Sequence, residues 1–147
     1  MFSKILCPSD LSKASLTAVK YAAELARRCK SKLYLLNVRE EFLNKQEMVM
    51  LRVSAEHFQE MMSEKAVESK KIMEQELRIA NGEDLDYELL IRQGKPTKEI
   101  IEVAEELGAD LMVITTNGRD SLGEKILGST AEHLIRYSKI PVLTIRV

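Results

Sequence analysis

Residues 94–116 read GKPTKEIIEVAEELGADLMVITT, and two periods follow one another within them. Ile100, Ala104 and Leu107 recur at the spacing of one helix face, whereas 111–115 (LMVIT) is a short aliphatic run of strand character. Pro96 stands where a helix can begin without losing a needed N–H, and Gly108 where it can end in the left-handed conformation. A helix and a strand joined by so few residues form half of a β-α-β unit. Outward from this stretch the same alternation repeats. Runs of strand character occupy 4–7 (KILC), 33–38 (LYLLNV), 87–92 (YELLIR) and 142–147 (VLTIRV). Helical stripes lie between them: Leu16, Val19, Ala23 and Ala26 in one, Ala131, Leu134 and Ile135 in another. Ser12 is placed to cap the first helix, and Pro141 separates the last helix from the final strand.

Strands that alternate with helices pair in parallel, because each parallel pair needs a crossover and crossovers are right-handed. The expected architecture is therefore a single α/β domain over 1–147, a doubly wound parallel five-stranded sheet with helices on both faces and strand order 3-2-1-4-5. In such sheets ligands bind beyond the carboxyl ends of the strands, where the winding reverses. Two features fall at strand ends: Pro8-Ser9-Asp10 after the first, and the loop that opens after Thr115.

Composition narrows the function classes. The 147 residues are 45% hydrophobic, enough for one core. The formal charge is −1, with 22 basic against 23 acidic residues, and no Lys/Arg block suited to tracking a phosphodiester backbone; nucleic acid is not an expected partner. No apolar run reaches the roughly 18 residues that span a bilayer, and MFSKILCPSD lacks the pattern of a signal peptide, so a cytoplasmic protein without a membrane association is expected. Cys7 and Cys29 are too few and too far apart for a metal knuckle or a redox pair, and read as small buried hydrophobes.

Residues 115–130, TTNGRDSLGEKILGST, hold three glycines between a strand and a helix. A P-loop would place Gly-Lys-Ser/Thr after the second glycine, where Gly123 is followed by Glu124 and Lys125. A dinucleotide fingerprint would follow the first strand, where the chain has Pro8-Ser9-Asp10. What remains is Gly118, nine residues, then Gly128-Ser129 opening the last helix. That arrangement brings backbone N–H groups, a hydroxyl and a positive helix end to one point.

At these residues the chain resembles the universal stress protein family, whose nucleotide-binding members carry G-x-x-G, nine residues, then G-[ST]. ILCPSDLSKAS, LYLLNV, GKPTKEIIEVAEELGADLMVITT and LGSTAEHLIRYSKIPVLTI extend the likeness over nearly the whole chain. The resemblance implies Asp10 at the ribose or adenine, Val38 beside the base, and the backbone of Gly118, Gly128, Ser129 and Thr130 around the phosphates, with Pro8, Ser9 and Thr115 completing the expected nucleotide site. The implied ligand is ATP or a related adenine nucleotide, with or without Mg²⁺, acting as a sensor or regulatory ligand. The first glycine of G-x-x-G is Thr115 here. A glycine there would permit close approach or a positive φ, whereas the threonine hydroxyl either contacts the ligand or ends the strand and caps the turn. Two other readings stay open: an interaction module of the same family without nucleotide, and an adenine-nucleotide hydrolase or adenylyl-transfer enzyme. Against the last, PSDLS lacks the glycines of a pyrophosphate loop. No catalytic or metal-binding residue is assigned. The resemblance also implies a homodimer through the closing strand, whose apolar edge invites pairing.

Other candidates read more plainly. Ser129 and His133 share a helix face without a third orienting group, and nothing in the sequence activates Asp10 as a general base. His57 with Glu56, Glu60 and Glu64 reads as a solvated face. Five of seven methionines (Met48, Met50, Met61, Met62, Met73) fall within 44–73, inside a helical segment of about 40–83. Phe58, Met62, Ser69, Met73 and Leu77 trace its core stripe, and 44–55 reads as a lid or a surface for an unknown protein partner.

Overall fold

The structure, a computed structural model, describes residues 1–40, 45–117 and 127–147. Five strands, β1 (Lys4–Pro8), β2 (Lys32–Arg39), β3 (Tyr87–Gln93), β4 (Leu111–Thr115) and β5 (Val142–Ile145), form one sheet in the order β3-β2-β1-β4-β5. Every pairing is parallel. Five helices accompany them: α1 (Lys13–Cys29), α2 (Lys45–Met50), α3 (Ala55–Ile79), α4 (Pro96–Leu107) and α5 (Ser129–Tyr137). The chain thus has the expected doubly wound architecture.

Side chains alternate along β1 and so divide the core. Ile5 and Cys7 face one layer with Ala18, Val19, Ala22 and Ala26 of α1 and Met73 and Leu77 of α3. Leu6 faces the other with Ile100, Val103 and Ala104 of α4 and Leu134 of α5. Helices on both faces explain why the central strands are apolar throughout. The four buried alanines of α1 let that helix lie close to the sheet.

The helix ends follow local chemistry. Ser12 caps α1, its hydroxyl accepting from the Ser15 N–H at 3.2 Å, and Pro96 opens α4. Gly108 closes α4 at φ 66°, the left-handed conformation that glycine adopts without penalty.

Three expectations need correction. Ile135 is 46% exposed, because α5 turns Ala131 and Leu134 inward and leaves the next position on its outer side. Cys29 is only partly buried, at the end of α1, while Cys7 lies in the sheet. The last strand stops at Ile145 rather than Val147, since Ile145 pairs with Thr115, the last residue of β4. The segment 40–83 contains two helices, and Ser54 caps the second through the His57 N–H at 3.0 Å. Of its stripe, Ser69, Met73 and Leu77 are buried, and Phe58 and Met62 are half-buried.

Candidate functional site

β1 and β4 are neighbours, paired through Ile5 with Leu111 and Leu6 with Met112. From that pair the chain winds outward in both directions, so the strand ends diverge at the centre of the sheet. A crevice of about 750 Å³ opens there. Its walls include Pro8, Ser9 and Asp10 after β1, Val38 near the end of β2, Thr115 at the end of β4, and Gly128, Ser129 and Thr130 at the start of α5. Eight of the nine residues singled out in the sequence therefore meet in one cavity. The ninth, Gly118, lies outside the described residues, as do Arg119 and Lys125.

The turn after β1 is tightly bonded. The Ser9 N–H donates to the Leu36 carbonyl at 2.8 Å, and Asn37 Nδ2 donates to the Ser9 carbonyl at 2.9 Å. Asp10 Oδ1 accepts from the Ser12 N–H at 3.0 Å, and Ser9 Oγ accepts from the Leu11 N–H at 3.1 Å. These bonds hold Leu11 at φ 68°, a left-handed conformation that costs a leucine roughly 1 kcal/mol or more. Asn37 is buried, and its Oδ1 has no hydrogen bond among the described residues. A buried acceptor left unmatched in the crevice wall calls for an explanation.

Behind the turn stands a residue that the sequence reading missed. Glu76 of α3 is only 5% exposed, and the Ser9 hydroxyl donates to its carboxylate at 2.9 Å to Oε1 and 3.1 Å to Oε2. Burial pushes its carboxyl up to about 7; the Ser9 hydrogen bond pulls the other way and the Asp10 charge adds to the rise. The signal was available: Glu76 falls three residues after Met73 and one before Leu77, on the face of α3 that enters the core. A carboxylate on an apolar stripe calls for a partner.

Across the crevice stands Thr115, where the family motif has glycine. It is the last residue of β4, paired with Ile145, and does not adopt a positive φ. Its hydroxyl donates to the Asn117 carbonyl at 2.8 Å, ending the strand and capping the turn. The Gly128 N–H donates to the Thr116 carbonyl at 2.7 Å, so the chain leaves and re-enters the crevice at adjacent points. Gly128 is the N-cap of α5 at φ −64° and ψ 154°, and no side chain caps this helix. Its backbone would suit any residue; what glycine contributes there is the absence of a side chain at a positive helix end. His133 packs on Tyr137, ring centroids 4.6 Å apart. Glu56, His57, Glu60 and Glu64 are all exposed, and no cluster able to hold a metal occurs among the described residues. No helix among the described residues is long and apolar enough to cross a membrane.

The model of the universal stress protein family matches residues 1–146. Universal stress protein YxiE of Bacillus subtilis is 32% identical over 148 residues, covering 99% of this chain and 100% of that protein. The solved structure of MJ0577, a universal stress protein of Methanocaldococcus jannaschii, superposes with a TM-score of 0.81 at 27% identity, covering 100% of this chain and 97% of the other. A universal stress protein of Archaeoglobus fulgidus, solved in complex with dAMP, superposes with a TM-score of 0.65 at 21% identity, covering 99% and 98%.

Proposed function

Since the chain belongs to the universal stress protein family, its model matching residues 1–146, we propose that the crevice binds an adenine nucleotide, ATP or a close relative, as a regulatory ligand. The observation that carries this reading is the meeting of the Ser9-Asp10 turn and the uncapped start of α5 across a cavity of about 750 Å³. That volume is in the range of small-ligand sites, roughly 300–1,000 Å³. One wall is apolar, from Val38, Ile100 and Ile114, and suits a base; the other offers backbone N–H groups and hydroxyls, and suits phosphates. The A. fulgidus protein of the same fold was solved with dAMP. At that level of identity the likeness carries the fold, and the ligand is argued from the chemistry of this crevice.

We infer that binding proceeds without rapid turnover, a reading supported by the described residues that line the cavity. Phosphoryl transfer needs positioned cationic groups, a metal and an oriented nucleophile. Among the described residues Arg39 is the one cationic side chain in the wall, and its guanidinium is bonded to the Lys65 carbonyl and the Ser69 hydroxyl of α3. Mg²⁺ would arrive with the phosphates. We further propose a two-fold homodimer through Val142 to Val147, because among the described residues β5 is the end strand of the sheet, and an edge strand offers unpaired backbone groups. Mass spectrometry of small molecules released from freshly purified protein tests the ligand. An adenine nucleotide is the expected finding; protein that carries none and shows no thermal shift with Mg-ATP would favour the interaction module without nucleotide.

A further inference from the structure

The contact between α3 and the first turn has a consequence for the ligand. Glu76 carries a carboxylate into a buried position, where a glutamine or an aliphatic residue would fit the fold at lower cost. It makes no ion pair among the described residues; its partner is the Ser9 hydroxyl. Ser9 Oγ in turn accepts from the N–H of Leu11, which stands in the left-handed region. A strained backbone persists only where its surroundings over-determine it. With one proton to give, Ser9 bonds both oxygens of Glu76 and accepts from the Leu11 N–H, and Ser15 Oγ lies 3.1 Å from its hydroxyl. Glu76, Ser9 and Leu11 thus form one chain of bonds from α3 to the crevice.

We propose that Glu76 is a positioning residue for the crevice: through the Ser9 hydroxyl it holds the Ser9–Ser12 turn that presents Asp10 to the ligand, and so couples α3 to ligand binding. The coupling rests on the nucleotide reading above for its ligand, and on the hydrogen bonds alone for its existence. A charge-assisted bond is about twice as strong as a neutral one, so the hold is firmest when Glu76 is ionised. Burial keeps its proton to about pH 7, which places the change of hold near neutrality. The other groups that face it are Cys7 from β1, whose thiol burial and the Glu76 charge push upward, Asp10 from the turn, and Lys13 of α1, which borders the same shallow groove. Arg39 on β2 is engaged with Ser69, two turns earlier on α3.

Two measurements test the coupling. In ligand-free protein, the amide resonances of Ser9 to Ser12 are followed by NMR from about pH 5 to about pH 9, together with the Glu76 carboxyl carbon. They should move with one midpoint near neutrality in wild type, and the amide transition should vanish in Glu76→Gln. With Mg-ATP, calorimetry at about pH 6 and pH 8 compares wild type with Glu76→Gln, which removes the nucleotide's own phosphate titration. Relative to the variant, wild type should bind about fivefold tighter at the higher pH, a gain of about 1 kcal/mol. In Ser9→Ala the carboxylate remains but the link is cut, and this gain should disappear. A gain that survives in Ser9→Ala, or an opposite sign, would mean that the charge acts through space and would overturn the coupling. Amides that stay still while Glu76 titrates overturn it as well, even if Glu76→Gln fails to fold. If wild type binds no nucleotide at either pH, the ligand reading fails, and the amide titration still decides the coupling.

Discussion

Thr115 in the wall of the crevice and Glu76 behind it show most clearly what single residues do for this site. Folded Glu76 keeps its proton up to about 7, against an ordinary value of 4.5, whereas the unfolded chain releases it at the ordinary value. The native state therefore binds more protons between those two values. The contribution is fully present below about 4.5 and is lost as pH rises through about 7. Urea unfolding should show wild type losing on the order of 3 kcal/mol relative to Glu76→Gln between about pH 4 and pH 8. Parallel stability curves would contradict the burial of that carboxylate. At Thr115 the expectation concerns the ligand. Thr115→Gly removes a side chain from the crevice wall and should tighten Mg-ATP binding roughly threefold to tenfold, at a stability cost of about 1 kcal/mol for glycine in a strand. Weaker binding would mean that the hydroxyl touches the ligand instead of serving only Asn117. In the sequence, Thr115 was legible as a departure from a motif; the direction of its hydroxyl depends on the Asn117 carbonyl, which only the turn brings near.

Among the elements, α3 and β5 carry the most. Met73 and Leu77 seat α3 against the sheet, with Met73 0% exposed. Met73→Ala should cost about 2–5 kcal/mol in unfolding experiments, while Met50→Ala, at a position 81% exposed, should cost almost nothing. The strands and helices were largely legible because each β-α unit carries its own punctuation, as Pro96 and Gly108 do around α4. What local pattern could not convey was the angle at which an element packs. Ile135 continues the apolar stripe of α5 yet faces outward, and Glu76 interrupts the stripe of α3 yet faces inward. Both outcomes are set by neighbours distant in sequence. At β5 the proposed dimer has a direct check: light scattering should find a dimer at micromolar concentration, and Leu143→Pro should give a folded monomer. A wild-type monomer, or a dimer indifferent to that proline, would remove β5 as the interface.

At the scale of the molecule, the parallel sheet brings residues from distant parts of the chain into one cavity. Pro8 to Asp10 and Gly128 to Thr130 are separated by most of the sequence, and meet because β1 and β4 are adjacent at the point where the winding reverses. That topology made the site legible before its geometry: the alternation of periods implies the sheet, and the sheet implies where a ligand sits. The central claim is that this cavity holds the phosphates of an adenine nucleotide on backbone N–H groups. Calorimetry with Mg-ATP tests it most directly. The account predicts heat of binding in wild type with a dissociation constant around micromolar or weaker, about −8 kcal/mol or less in magnitude. It also predicts loss of that heat in Gly128→Val, a variant whose backbone at φ −64° accepts valine. No heat in wild type, and none in Thr115→Gly, would contradict it.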